Sequence, residues 1–320
     1  MKNEPTIVAH GDFDGMVSAA IVSIWCGIDR FAYAGPESVR RLDLDAEDIV
    51  CDLPHPMRPV RAWFDHHQMN IEEAKNLGLA LGEGAAWDAP SAARVAYDHL
   101  KDKASYPDFM EETVAAGDRV DSMDYASVEE WRAESPENTL NRTIFLPGEG
   151  LRDARPFLIR LTRAFREMPL TKICEMPEVI ERYHRYVMHA DKAHEMIARL
   201  GQSMVGGRVL LLDFSEMKVP PAFSRNETYV VYPDVEFVLS VNPIFENHRK
   251  TNDLRISMSK NPFIRHEGGL DLAALFERLG VGGGHPSAVG GRITSESKEA
   301  RQRALREVLA EIEEAVTSEG

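Results

Sequence analysis

Thr6-Ile7-Val8-Ala9-His10-Gly11-Asp12-Phe13-Asp14-Gly15 is the stretch from which the architecture follows. Residues 6–9 form a short, mostly β-branched run, the composition of a buried strand. A polar loop follows, and over 16–25 a small and apolar face suits a helix packed on a sheet. Strand, polar loop and helix in that order open a parallel βαβ unit. Two further apolar segments end on acids in the same way: Ile49-Val50-Cys51 runs into Asp52, and residues 60–64 run into Asp65-His66-His67. All three strands therefore place acids at or just past their carboxyl ends. In an open α/β sheet that is the edge where loops from neighbouring strands converge into sites.

Downstream, Pro90-Ser91 starts a helix with Ser91 as its cap, and a second helix over 109–116 is expected to end at Gly117, just before Asp118. Residues 127–175 carry scattered prolines, with a helix over 155–166. From Pro177, apolar residues recur at helical spacing as far as Leu200, and Gly201 stops the run. Strands are then expected at 209–212, 228–232, 236–241, 254–258 and 292–294, followed by an amphipathic helix over 297–316. The chain reads as α/β. A larger N-terminal domain (1–176) has a mainly parallel sheet flanked by helices. A helical linker (177–205) leads to a smaller C-terminal α/β domain with a mixed sheet (206–320).

The whole chain narrows the function classes. At 320 residues it is long for one core and comfortable for two. Its 37 Lys and Arg against 52 Asp and Glu give a net charge of −15, which argues against a general surface for long duplex nucleic acid. An anionic substrate would need local positive charge, from side chains or metal. No apolar run approaches the ~20 residues of a membrane span, and Met1-Lys2-Asn3-Glu4-Pro5 lacks the hydrophobic segment of a signal peptide. Three cysteines (Cys26, Cys51, Cys174), an odd count without paired spacing, fit reduced thiols in a cytoplasm.

His10, Asp12 and Asp14 alternate, so in an extended segment they share one face. Asp52, His66 and Asp118 add carboxylates and an imidazole from other loops of the same edge. Clustered carboxylates repel one another, and cations remove that cost. This many donors would satisfy two divalent ions, with a shared carboxylate bridging ions ~3.5–4 Å apart. Mixed nitrogen and oxygen donors favour Mn²⁺, with Mg²⁺, Co²⁺ and Zn²⁺ as alternatives. Separately, the glycine-rich segment 280–291 suits anion binding, because backbone without Cβ atoms can approach a phosphate closely.

His10-x-Asp12-x-Asp14-Gly15, Asp52, Asp65-His66-His67 and Asp118, in this order, resemble the four motifs of the DHH phosphoesterase superfamily. Gly282-Gly283-Gly284-His285 with Ala288 and Gly290 resembles the signature of its DHH-associated C-terminal domain. The branch includes RecJ-type exonucleases, oligoribonucleases that also dephosphorylate 3′-phosphoadenosine 5′-phosphate, and cyclic-dinucleotide phosphodiesterases. The resemblance implies two α/β domains, a helical linker and an active-site cleft between the domains. It implies a first metal on His10, Asp12 and Asp52, and a second on Asp14, Asp52, His66 and Asp118, with Asp52 bridging. Asp121 is the rival to Asp118, which is preferred for its place right after Gly117. His67 would face the scissile phosphate, Asp65 would orient an imidazole, and Gly283, Gly284 and His285 would hold a substrate phosphate.

One departure from the family pattern concerns substrate. Many relatives carry an arginine where this chain reads Ser257-Met258-Ser259-Lys260-Asn261-Pro262, and Lys260, Arg255 and Arg265 are the candidate replacements. The implied activity is a metal-dependent phosphodiesterase or phosphomonoesterase in which two ions activate a hydroxide. Its substrates would be short 5′-phosphorylated oligonucleotides, dinucleotides or phosphonucleotides. The rivals are an exopolyphosphatase or pyrophosphatase-like hydrolase and a non-catalytic metal- or nucleotide-binding regulator. No long duplex and no membrane is expected as a partner, and a homodimer is compatible with the sequence.

Overall fold

Ile7, Val8 and Ala9 are almost wholly buried in strand β1 (Ile7–His10). The structure, a computed structural model, describes residues 4–247, 249–264 and 269–319, so Arg265 lies outside the described residues. The chain divides into two compact units, 1–125 with 131–187, and 126–130 with 188–320.

In the first unit, β1 pairs in parallel with β2 (Phe31–Ala34) and β3 (Ile49–Cys51). Strand β3 pairs with β4 (Ala62–Asp65), and β4 with the short β5 (Ala85–Ala86), giving a parallel sheet in the order β2-β1-β3-β4-β5. The helices assigned to this stretch of chain are α1 (Phe13–Cys26), α2 (Gln68–Asn76), α3 (Ala92–Leu100), α4 (Met110–Asp121), α5 (Val128–Arg132), α6 (Pro136–Ile144), α7 (Leu151–Glu167), α8 (Leu170–Cys174) and α9 (Pro177–Leu200). The unit boundaries fall within α5 and α9.

Side-chain alternation along the strands divides the core in two. Ile7, Ala9, Phe31, Tyr33, Ile49, Cys51 and Phe64 join α1, α3, α4 and α7 on one face. Val8, Val50 and Trp63 join Val39, Leu53 and Ala74 on the other. Helix α1 is buried at every position from Phe13 to Ser23, wedged between the sheet and α3, α4 and α7. A helix enclosed on all sides carries apolar residues around its whole circumference, which the run Met16-Val17-Ser18-Ala19-Ala20-Ile21-Val22 supplies.

Gly15 is what lets α1 start there. A Cβ on it would lie 2.3 Å from the carbonyl oxygen of His10. The helix therefore passes against the end of β1 at a distance only glycine permits, which keeps His10, Asp12 and Asp14 in one compact turn.

The second unit holds a mixed sheet built from β6 (Gln202–Met204), β7 (Val209–Asp213), β8 (Phe237–Glu246), β9 (Arg249–Lys260), β10 (Gly282–His285) and β11 (Ala288–Ile293). Its order is β10-β11-β9-β8-β7-β6, with β7–β8 parallel and the other pairs antiparallel. Helices α10 (Glu227–Val231), α11 (Leu272–Arg278) and α12 (Lys298–Ser318) accompany it, and Ser297 caps α12 through the Ala300 N–H.

Two sequence expectations change. Of residues 228–232, a β-branched and aromatic run expected as a strand, 228–231 lie in α10 and Tyr232 follows its end. The Tyr229 hydroxyl donates to the Lys260 carbonyl (3.1 Å) and hydrogen-bonds Ser259 Oγ (3.2 Å), while the buried Glu227 pairs with His194 (2.6 Å). These tertiary contacts outweigh the strand propensity. Helix α4 does not stop at Gly117 but runs on to Asp121, since Gly117 sits inside the helix, facing Ala93.

Replacing Gly15 by alanine is expected to destabilise the protein by about 2–3 kcal/mol through the clash with His10. A lower urea midpoint with an unchanged m-value is the outcome that checks it.

Candidate metal centre

The carboxyl edge of the parallel sheet collects the acids and imidazoles. Asp12 caps α1 by accepting from the Gly15 N–H (3.0 Å), and its other oxygen lies 2.5 Å from His10 Nδ1. Asp14, in the first turn of α1 and fully buried, reaches across to α3. The N–H groups of Ala92 and Ala93 donate to its two oxygens at 2.7 Å each, and Ser18 adds a 3.3 Å bond. The free N–H groups at a helix start suit a carboxylate, so α3 holds Asp14 in place.

Asp52 follows β3 with φ = +55°, a left-handed conformation that aspartate tolerates better than most side chains. Its carboxylate is about 1% exposed, and its oxygens face different neighbours. Oδ2 lies 3.6 Å from His10 Nδ1, while Oδ1 lies 3.8 Å from His66 Nε2 and 3.7 Å from His67 Nδ1. Neither oxygen has a hydrogen-bond partner, and neither does the buried Nε2 of His66. Buried polar atoms are nearly always satisfied, so these orphaned atoms, with Asp52 Oδ1 3.8 Å from His66 Nε2 and Oδ2 turned to His10, are ones that could hold a cation.

The second shell of contacts orients the imidazoles. His66 Nδ1 donates to the Ala89 carbonyl (3.0 Å), which leaves Nε2 as a lone-pair donor. The fully buried Asp65 accepts at Oδ1 from the His66 and His67 backbone N–H groups (2.8 and 3.2 Å) and from His67 Nδ1 (2.8 Å). Asn70 donates to the other oxygen at 2.7 Å. Half-exposed His67 is thereby turned with Nε2 outward, and the Asp65 hydrogen bond raises its pKa above the usual histidine value.

The structure separates the two rivals for the last position. Asp118 is occupied elsewhere: Ser91 Oγ donates to it at 2.6 Å, and Arg94 makes two bonds to Oδ2 at 2.9 and 2.7 Å. Asp121, one turn further along α4, puts Oδ2 3.3 Å from His66 Nε2. Asp121 therefore replaces Asp118 as the carboxylate of this cluster. The preference for Asp118 rested on a helix ending at Gly117; α4 runs one turn further and brings Asp121, not Asp118, beside His66.

Three sets of ligand atoms lie within 4.8 Å of one another: His10, Asp12 and Asp52; Asp14, His66 and Asp121; and Asp52, His66 and His67. Like charges that close repel by about 3 kcal/mol or more at an effective dielectric of ~20. That exceeds the ~1 kcal/mol net gain of a typical hydrogen bond. Burial, reinforced by Asp14 and Asp12, pushes the Asp52 carboxyl well above the usual range, and burial with Asp121 and Asp12 does the same for Asp14. Burial also raises Asp121. The donor set fits divalent cations, which would replace repulsion by attraction.

Of the remaining expected site residues, Gly283, Gly284 and His285 lie in β10, on the edge of the other unit's sheet. The glycines build a hairpin whose turn is Pro286-Ser287. A Cβ on Gly282 would lie 2.2 Å from the Gly290 carbonyl oxygen, so close packing of the hairpin accounts for that glycine. The Ser287 N–H donates to His285 Nδ1 (3.2 Å), leaving Nε2 to carry a proton outward. Lys260 ends β9 beside this turn, its N–H donating to the Ser287 carbonyl (2.9 Å). Sequence reasoning missed Asn70 and the Ala89 carbonyl. Asn70 is one polar residue in a helix's first turn, and Ala89 acts through its backbone.

No family model and no curated protein matches the chain. Solved structures do. A pGpG-specific phosphodiesterase from Vibrio cholerae superposes with TM-score 0.73 at 23% identity, covering 96% of this chain and all of the other. An exopolyphosphatase-related protein from Bacteroides fragilis gives 0.54 at 12%, with 98% and 93% covered. Exonuclease RecJ bound to manganese gives 0.54 at 11%, with 97% and 89% covered. The chain therefore shares the fold of these three proteins.

Asp121→Asn is expected to weaken Mn²⁺ binding by roughly 100-fold, at the upper end of what disturbing even an outer contact costs. Asp118→Asn should leave Mn²⁺ affinity within about threefold and instead lower stability by about 1–2 kcal/mol through its bonds to Arg94 and Ser91. Calorimetric titration and thermal melts of both variants separate the two.

Proposed function

We propose that this protein is a divalent-metal-dependent phosphoesterase acting on short nucleotides, with linear 5′-phosphorylated dinucleotides as the leading substrate class. The observation that carries the reading is Asp52: a buried carboxylate with both oxygens unpartnered, one turned to His10 and the other to His66 and His67. A carboxylate so divided suits the bridge between two ions, one on His10, Asp12 and Asp52, the other on Asp14, Asp52, His66 and Asp121. Manganese is the ion favoured by the mixed nitrogen and oxygen donors. When bound, such ions supply Lewis acidity toward the phosphoryl oxygens and lower the pKa of a coordinated water.

The chain's own residues do the rest. Asp65 fixes the His67 ring, whose outward Nε2 can donate to a phosphoryl oxygen as negative charge builds there. Donation from Nε2 uses the imidazolium form, since Nδ1 already gives its proton to Asp65. In the second unit, Gly283, Gly284, His285 and Lys260 are assigned to phosphate binding. The support is an edge strand, an outward His285 Nε2, and a Lys260 ammonium with no carboxylate partner among the described residues. The likeness to a pGpG-specific phosphodiesterase supports a nucleotide substrate. The net charge of −15 favours a short one over a long strand. A polyphosphate substrate is the second reading, favoured by the likeness to an exopolyphosphatase-related protein.

Turnover with Mn²⁺ of pGpG, 3′-phosphoadenosine 5′-phosphate, pyrophosphate and polyphosphate tests the reading. The dinucleotide is expected to be hydrolysed fastest, polyphosphate turnover in its place would favour the second reading, and no turnover of any compound would sink the enzyme reading. Asp52→Asn should lower kcat/KM by at least roughly 10³-fold, as for loss of a principal charge-stabilising group, and should weaken Mn²⁺ binding in the same titration. His285→Ala should leave Mn²⁺ affinity unchanged and raise KM about tenfold, the scale of a lost charge-assisted hydrogen bond.

A further inference from the structure

Two large aromatic side chains accompany the metal-ligand loops without being used by them. Phe145, just after α6, is 39% exposed, and its ring tip would lie 3.4 Å from a Cβ placed on Gly11. Gly11 is the residue between the ligands His10 and Asp12, so the ring lies against the loop that presents them. Trp87, just after β5, is 38% exposed and stands two residues before Ala89, whose carbonyl holds the His66 ring. Neither ring stacks on another aromatic or under a cation among the described residues.

In the sheet order, β1, whose loop Phe145 touches, and β5, which Trp87 follows, lie on either side of β3 and β4. The ligand loops leave β1, β3 and β4, Phe145 flanks the β1 loop, and Trp87 follows β5 beyond β4. From β1 to β5 is three inter-strand steps of ~4.8 Å, about 14 Å in all. Neighbouring bases in a duplex strand stack only ~3.4 Å apart. Bases resting on both rings would therefore be pulled away from each other, the mode in which unpaired bases are read on aromatic side chains.

We propose that Phe145 and Trp87 are the stacking surfaces for the two bases of a linear dinucleotide, splayed so that the phosphodiester between them falls to the metal-ligand cluster. The inference rests on the phosphoesterase reading and sharpens it: the preferred substrate carries a base on each side of the scissile phosphate. A phosphate polymer has nothing to offer either ring.

The test compares a 5′-phosphorylated dinucleotide with its abasic analogue, which keeps both phosphates and sugars. Both are assayed on the Mn²⁺-loaded full-length protein and on Phe145→Ala, Trp87→Ala, Phe145→Tyr and Trp87→Phe. For the dinucleotide each alanine variant should raise KM about tenfold or more, and the aromatic replacements should restore it. For the abasic compound the wild type should already show the raised KM, with no further rise in the alanine variants, and Mn²⁺ affinity should stay constant throughout. Unchanged dinucleotide KM in both alanine variants, or an equal rise for the abasic compound, overturns the proposal. Wild-type protein that cleaves neither compound sinks the phosphoesterase reading and this inference with it. Equal cleavage of both sinks the aromatic assignment alone.

Discussion

Asp52 closes β3 in a left-handed backbone conformation with a buried carboxylate that makes no hydrogen bond. Aspartates 12, 14 and 121 press toward the same space, and His10, His66 and His67 fill the gaps. An isolated buried charge costs several kcal/mol, about a third or more of a typical domain's net stability. The sheet, α1 and α3 hold the cluster together, and a cation could offset the repulsion within it. Local strain and unpaired polar groups of this kind cluster where a protein binds or reacts.

Each ligand is held by a structural part that does something else. Gly15 allows α1 to pass the end of β1, so that Asp12 becomes a helix cap and Asp14 an inward residue of the first turn. The start of α3 receives Asp14 through two backbone N–H groups, and the same helix start is tied to α4 by Ser91, Arg94 and Asp118. The turn of α4 beyond that tie delivers Asp121. Asp118 thus joins the helices that position Asp14 and Asp121 while lying outside their cluster. Asn70, Asp65 and His67 form a similar chain, in which a buried carboxylate sets the direction of one exposed imidazole.

Much of this could be read before any coordinates. The mostly β-branched, buried run ahead of His10, acids after each strand, the Ser91 cap and the long helix ending at Gly201 are local patterns, and local patterns survive folding intact. The features that escaped are of another kind. β5 is only two residues long, too short for periodicity to speak, and β2, as long as β1, ends on Ala34 without the acids and histidines that mark the other strands. The run at 228–232 has strand composition, yet its tyrosine hydroxyl and neighbouring glutamate are bound by residues more than 25 positions away. Of the five helices between residues 126 and 200, α5, α6 and α8 are short and lie among scattered prolines.

By itself the sequence determined the α/β class, the mixed second sheet, and the gathering of His10, Asp12, Asp14, Asp52 and His66 at one sheet edge, because strand ends and side-chain alternation follow from residue order alone. Only the tertiary structure decided between Asp118 and Asp121. The two stand three residues apart on one helix, and their chemistry is identical. What differs is the company each keeps: Arg94 and Ser91 lie beside the first, His66 beside the second. It likewise decided that Phe145 lies against Gly11, a contact across 134 positions that no local pattern encodes. Residue type sets which ligands a chain can offer, and the packing of distant helices sets which of them meet.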